Sequence, residues 1–193
     1  MTVSRIVVKV GGSLFDLPDL GPRLCGWLER HAPSEVLLVP GGGPAAVVIR
    51  ALDRTHMLGE EAAHWLALRA LAINAALLAA LVPGSCVIDG PDLVELVWEQ
   101  DRVPVLDAFA FCEADEANDD HLPHTWAVTS DSVAARAAVV MQAAELVLLK
   151  SAPAPPGDAT AWAAAGYVDG WLPRVLAGTS VPLRAVDLRN EKV

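Results

Sequence analysis

Residues 6–13 read Ile-Val-Val-Lys-Val-Gly-Gly-Ser, an apolar, β-branched run that breaks at once into Gly11, Gly12 and Ser13. Branched side chains suit a pleated strand and paired glycines suit a tight turn, so a first strand is predicted over Ile6–Val10. The same punctuation recurs along the chain. Val36–Val39 runs into Pro40-Gly41-Gly42-Gly43-Pro44, and Leu146–Leu149 runs into Lys150 and Ser151. Cys86–Ile88, Val103–Leu106 and Leu183–Leu188 complete the predicted strands.

Helical stretches separate them. They are predicted at Leu20–Arg30, at Ala45–Leu58 behind a proline suited to the first turn, over the alanine-rich 62–82, at Pro91–Glu99, after Ser130, and around Leu172–Ala177. Residues 113–124 read as an acidic, solvated loop, and 151–157 as a soft Ser-Ala-Pro-Ala-Pro-Pro-Gly linker. Strands alternating with helices imply βαβ units, hence an α/β fold with a mostly parallel sheet and helices on both faces. Such sheets bind ligands at the carboxyl ends of their strands. Length agrees with one domain, since 193 residues bury a sizeable core.

Composition removes several classes of function. The chain holds 53% hydrophobic and 20% charged residues, which is not the make-up of a disordered segment. Its net charge of −10 repels nucleic-acid backbones, so anionic ligands must be held by a few local cations or backbone amides. Cys25, Cys86 and Cys112 are an odd, widely spaced set, suited neither to a disulfide framework nor to a cysteine zinc site. Met1–Ser13 carries Arg5 and Lys9 within its apolar run and lacks a signal-peptide core, so a reducing cytoplasm is expected. Residues 62–82 are long enough to span a bilayer, but nine of those 21 residues are alanine and Arg69 stands mid-way. A buried helix, or one packed on a second subunit in a homo-oligomer, is expected there, without a membrane partner.

The strand ends carry the chemistry. Lys9 precedes Gly11-Gly12-Ser13, where backbone N–H groups at a loop-to-helix junction favour a phosphate; an ordinary tight turn with a surface lysine fits the glycines equally well. Three successive glycines, Gly41–Gly43, are costly to order, which suggests a ligand lying against the backbone. Thr129-Ser130-Asp131-Ser132 exceeds what one helix cap needs, and Asp131 suits orienting a lysine. The chain has only three lysines, at 9, 150 and 192, against eleven arginines, yet two of the three stand at strand ends beside Gly or Ser turns. A lysine there suits a compact charge that follows a moving phosphoryl group. Asp119, Asp120, His121 and His124 lack the helical spacing of familiar zinc motifs, so no metal ligand is assigned. His31, His56 and His64 read as surface or helix-face residues, and the Ser residues lack a hydrolase elbow.

Together VVKVGGS, PGGGP, TSDSVAA and GWLPRV, in this order, resemble the amino acid kinase family over nearly the whole chain. LPHTWAVTSDSVAA followed by LVLLKS is similar to the short branch of methanofuran-precursor phosphate kinases. The resemblance implies an αβα three-layer sandwich over 1–193, with an acceptor half to about residue 125 and a shortened nucleotide half over 126–193. It implies transfer of the γ-phosphoryl of ATP, with Mg2+, to a small phosphorylated acceptor, giving a diphosphate when the acceptor is an aminomethylfuran phosphate. By position it assigns catalysis to Lys9, Asp131 and Arg174, ATP and phosphate binding to Gly11, Gly12, Ser13, Lys150 and Ser151, and acceptor binding to Gly41, Gly42 and Gly43. Arg174 stands where lysine is common, and 43 residues follow Lys150. These two features leave room for a non-catalytic binding subunit on the same fold, or for a kinase of a different small acceptor.

Overall fold

In the computed structural model, which describes residues 4–191, the apolar runs become the strands of one six-stranded sheet. In chain order these are β1 (Arg5–Val10), β2 (Glu35–Pro40), β3 (Ser85–Ile88), β4 (Val103–Leu106), β5 (Glu145–Lys150) and β6 (Leu183–Asp187). Their spatial order is β3-β4-β2-β1-β5-β6, and every pairing is parallel. Strands from before residue 125 therefore occupy one side of the sheet, and the two later strands the other.

Eight α-helices cross the sheet: α1 (Leu20–Arg30), α2 (Gly43–His56), α3 (Glu60–Leu81), α4 (Val94–Trp98), α5 (Ala108–Asp115), α6 (Ser130–Val140), α7 (Ala159–Ala164) and α8 (Leu172–Leu176). Successive side chains of a strand point to opposite faces, and two cores follow from that rule. Val7, Leu37, Leu146 and Leu148 pack with α5 and α6 on one face. Ile6, Val8, Val10, Val147 and Leu149 pack with Leu24 and Trp27 of α1 on the other. This is the αβα sandwich that the sequence predicts.

Alternation also places the two strand-end lysines. Lys9 shares a face with Val7, and Lys150 shares a face with Leu146 and Leu148. Because Lys9 pairs with Leu148, both lysines lie at the carboxyl edge of neighbouring strands, on the α6 face.

Several local expectations change. Residues 113–124 are not simply a solvated loop, because α5 runs through Asp115, which is buried. The reason is Arg136 of α6, itself buried. Its Nε and Nη2 meet Asp115 at 2.7 and 2.8 Å, and its guanidinium also grips Asp120. α6 begins at Ser130 and ends at Val140, earlier than the apolar run suggests, and α7 arises where no helix is expected, capped by the Asp158 side chain. Pro91–Leu93 form a 3-10 turn leading into α4.

α3 is long and apolar enough to cross a membrane by length and composition, with 39% of its most apolar window buried. Leu68, Leu71 and Leu78 face the cores, whereas Leu66, Ile73 and Leu77 are exposed. Arg69 lies over the Phe109 ring, 3.3 Å from its centroid.

Removing one partner from a buried ion pair leaves an uncompensated charge. Arg136→Met is therefore expected to destabilise the protein by about 3–5 kcal/mol, read by urea unfolding. A midpoint close to wild type would contradict the structural role of Asp115–Arg136–Asp120.

Candidate active site

Asp131, one residue into α6, stands over the paired strand ends. Its Oδ1 accepts from Lys9 Nζ at 2.8 Å, and Lys150 Nζ donates to Oδ2 at 2.8 Å and Oδ1 at 3.0 Å. Lys150 also donates to the Tyr167 carbonyl at 2.9 Å. Side-chain exposure is 6% for Lys9, 7% for Asp131 and 13% for Lys150, so solvent screens these charges little. Two ammonium groups share one carboxylate, so these three side chains carry one excess positive charge, with Asp169 a further negative neighbour of Lys150. Burial by itself raises the Asp131 carboxyl, but Lys9 and Lys150 hold it below the usual carboxylate range. Burial, then the neighbouring Lys9, lowers the Lys150 ammonium.

The four-residue segment before and into α6 divides its work. The Thr129 hydroxyl caps Asp131 N–H, Ser130 lines an adjoining cavity, Asp131 holds the lysines, and Ser132 binds Asp169. Sequence reading missed Asp169. Its Oδ2 accepts from Thr129 N–H at 3.0 Å, Thr129 Oγ1 at 2.7 Å and Ser132 N–H at 3.1 Å. Its Oδ1 accepts from the N–H groups of Trp171 and Leu172 at 2.9 and 3.0 Å, and from Ser132 Oγ. One carboxylate thus fixes the starts of α6 and α8. Asp169-Gly170 just ahead of the α8 run is the local signal that marks it.

The glycines have a packing role beside the ligand contact expected of them. A Cβ on Gly12 would lie 2.3 Å from Gly43 N, and one on Gly41 would lie 2.3 Å from Gly12 N. The loops after β1 and β2 therefore pack backbone on backbone at Gly12 and Gly41, which requires glycine there whatever ligand they meet. Asn74 of α3 locks the arrangement, donating to the Gly41 and Gly42 carbonyls at 2.7 and 2.8 Å. A buried Asn in an alanine-rich helix was its signal. Among the described residues, the N–H groups of Gly12, Ser13, Gly42 and Gly43 meet no protein acceptor. Ser13 and Ser151 share a 2.7 Å hydrogen bond between hydroxyls, joining the loops after β1 and β5, and Gly11 N–H donates to the Leu149 carbonyl.

Beside this cluster lies a cavity of ≈ 250 Å3, bordered by Gly42, Gly43 and Ser130. Its walls are mainly apolar, from α2, α3 and α6, and among the described residues lining it none is Asp or Glu. Its charged or titratable groups are Arg50 and His64. The Arg50 guanidinium lies 4.6 Å over the Trp126 ring, whose Nε1 donates to Asp53 at 2.7 Å. His64, expected on a surface or a helix face, stands on a buried face of α3, and burial followed by nearby His124 lowers its pKa.

Arg174 stands apart from these contacts. It lies over Trp171 at 4.6 Å and lines a separate groove with Asp120, His121 and Arg136. The structure thus brings together Lys9, Asp131 and Lys150, and the loops of Gly11–Ser13 and Gly41–Gly43, but gives Arg174 no contact with the lysines.

Asp131→Asn removes the carboxylate that the two ammonium groups share, so a loss of about 3–5 kcal/mol is expected in urea unfolding. A depressed lysine costs stability while protonated and is relieved as pH rises through its folded pKa. The gap between variant and wild type is therefore expected to narrow at alkaline pH. A gap that is absent, or that widens with pH, would contradict the shared-carboxylate geometry.

Comparison with known proteins agrees with this architecture. Residues 4–154 match the amino acid kinase family. The [5-(aminomethyl)furan-3-yl]methyl phosphate kinase of Methanocaldococcus jannaschii is 24% identical over 143 residues, covering 74% of this chain and 63% of that protein. The chain thus spans less than two thirds of that relative's length. Among solved structures, uridylate kinase from Archaeoglobus fulgidus superposes with a TM-score of 0.67 at 16% identity, over 94% of this chain and 89% of that one. UMP kinase from Ureaplasma parvum gives 0.66 at 14%, over 96% and 91%, and aspartate kinase from Synechocystis gives 0.67 at 15%, over 93% and 38%. These structures share the fold. With the match extending from β1 through the end of β5, the chain belongs to the amino acid kinase family.

Proposed function

We propose that the protein is a cytoplasmic kinase that transfers the γ-phosphoryl group of Mg-ATP to a small phosphate monoester. The observation that carries this reading is the buried pair Lys9 and Lys150 on one carboxylate, beside unpartnered backbone N–H groups at the start of α2 and after β1. Phosphoryl transfer asks for positioning and charge neutralisation more than covalent work. The excess charge of the lysine pair suits the oxygens of the transferring group, and Asp131 keeps both ammonium groups aimed at one point. Gly42 and Gly43 border the cavity, and their amides suit the acceptor phosphate, while those of Gly12 and Ser13 suit the donor.

An acceptor phosphate oxygen attacks the γ-phosphorus, a new P–O bond forms, and the bond to the β-phosphate oxygen breaks to release ADP. That oxygen is already ionised near neutral pH, so no general base is needed. Magnesium, carried with the nucleotide, would neutralise phosphate oxygens, while both Asp131 oxygens accept from the lysines.

An aminomethylfuran phosphate, from the methanofuran-precursor relative, is the first acceptor to test. The cavity favours a second reading as well. Its lining offers an ammonium no carboxylate, and Asp53 is held by Trp126, so an acceptor with an uncharged apolar or aromatic body fits those walls. The exposed Leu66, Ile73 and Leu77 of α3 are the face expected to pair in a homo-oligomer.

A panel of phosphorylated and unphosphorylated acceptors with Mg-ATP, products read by mass, tests the assignment. Wild type is expected to form a diphosphate, and Lys9→Ala to lose at least about two orders of magnitude in rate. Unchanged turnover in Lys9→Ala would overturn the site. No product with any acceptor would instead favour a binding subunit that keeps the kinase fold.

A further inference from the structure

Three of the chain's five histidines meet outside the lysine cluster. The His124 ring lies 5.3 Å from that of His64 and 5.8 Å from that of His121. Glu116, just past α5, places Oε1 2.9 Å from His124 Nε2 and 3.2 Å from His121 Nδ1. One ligand atom each from Glu116, His121 and His124 lies within 4.8 Å of the others. Around a tetrahedral ion with bonds of about 2.0–2.2 Å, ligand atoms stand about 3.3–3.6 Å apart. The two separations from Glu116, 2.9 and 3.2 Å, fall slightly short of that edge, and the third lies within 4.8 Å.

We propose that Glu116, His121 and His124 form a zinc-type transition-metal site with an open position toward solvent. Two imidazoles and one carboxylate are the ligand set of a three-coordinate protein site that keeps its fourth position for water. Such a set disfavours magnesium, which seeks an octahedron of oxygens. Coordination through His124 Nε2 leaves its proton on Nδ1, and the nearest carboxylate there is Glu61, at 3.8 Å. A carboxylate hydrogen-bonded behind a metal-bound imidazole is the usual outer support of such ligands, and Glu61 must close from 3.8 Å to supply it. Coordination through His121 Nδ1 moves that ring's proton to Nε2 and gives up its present 3.1 Å contact with the Leu122 carbonyl.

Side-chain exposures of 34% for Glu116, 36% for His121 and 20% for His124 leave the cluster open to a hydrated ion. Two imidazole N–H groups donating to Glu116 account for the same contacts without a metal. The two accounts separate because an ion must displace those protons and bind all three groups at once. A bound ion ties the end of α5 to the segment that carries Trp126 and Thr129 into the cavity wall. The inference does not depend on the kinase reading, since none of the three residues touches Lys9, Asp131 or Lys150.

The test uses the full chain stripped with a chelator, titrated with Zn2+ against a chromogenic chelator and with Co2+ by visible absorption. One equivalent of Zn2+ is expected, with the intense Co2+ bands of a low-coordinate site. His121→Ala, His124→Ala and Glu116→Gln are each expected to weaken Zn2+ by at least about tenfold. His56→Ala, an exposed histidine on α2, is expected to leave it unchanged. Circular dichroism verifies folding, and His121→Gln replaces any variant that fails it. Absence of competition with the chelator, a faint six-coordinate Co2+ spectrum, or affinity untouched in folded variants would overturn the proposal.

Discussion

One carboxylate with two lysines is the constraint on which the candidate site depends. Asp131 and Lys9 are buried and Lys150 is 13% exposed, and Asp131 holds both ammonium groups at 2.8 Å. Burying three charges is costly unless geometry is good and the remaining polar atoms are paired. The surroundings meet that demand. β1 and β5 set the lysines side by side through their register, Asp169 and Thr129 pin the α6 start beneath Asp131, and the Tyr167 carbonyl accepts a further Lys150 proton. A charge excess remains, and in a dry cleft it favours an anion strongly.

Around this centre the two glycine loops act as a spacer. Without side chains at Gly12 and Gly41, the segments after β1 and β2 approach until backbone touches backbone, and Asn74 reaches from α3 to hold the second loop. The amides left over at Gly12, Ser13, Gly42 and Gly43 point to phosphate, but the glycines are required first by packing. Entropy cost identified the loops as special without distinguishing close chain approach from ligand contact.

The strand-to-turn transitions and the period-2 alternation made the sheet and the lysine positions legible in the sequence. Lys9 and Lys150 stood out because lysine is scarce here, and Asp131 because Thr129–Ser132 exceeds a simple cap. Asp169, Asn74 and the Asp115–Arg136 pair were not legible, since each acts through contacts between residues far apart in the chain. Their local sequence shows only an Asp-Gly turn, a polar residue among alanines, and an acidic run. The burial of His64 was left open for the same reason: α3 faces core on more than one side, so helical spacing did not reveal which side covers it. Arg174 was assigned by position in GWLPRV, yet stacking on Trp171 holds it in a neighbouring groove.

If the proposed site is right, the excess charge of the Lys9–Asp131–Lys150 cluster holds the phosphates of a nucleotide. Calorimetric titration with Mg2+ and a non-hydrolysable ATP analogue tests it directly, comparing wild type with Lys150→Ala. The account predicts one site in wild type and a loss of at least about tenfold in affinity for the variant, as expected when a charge-assisted contact is removed. Equal binding by both proteins, or none by wild type, would contradict it.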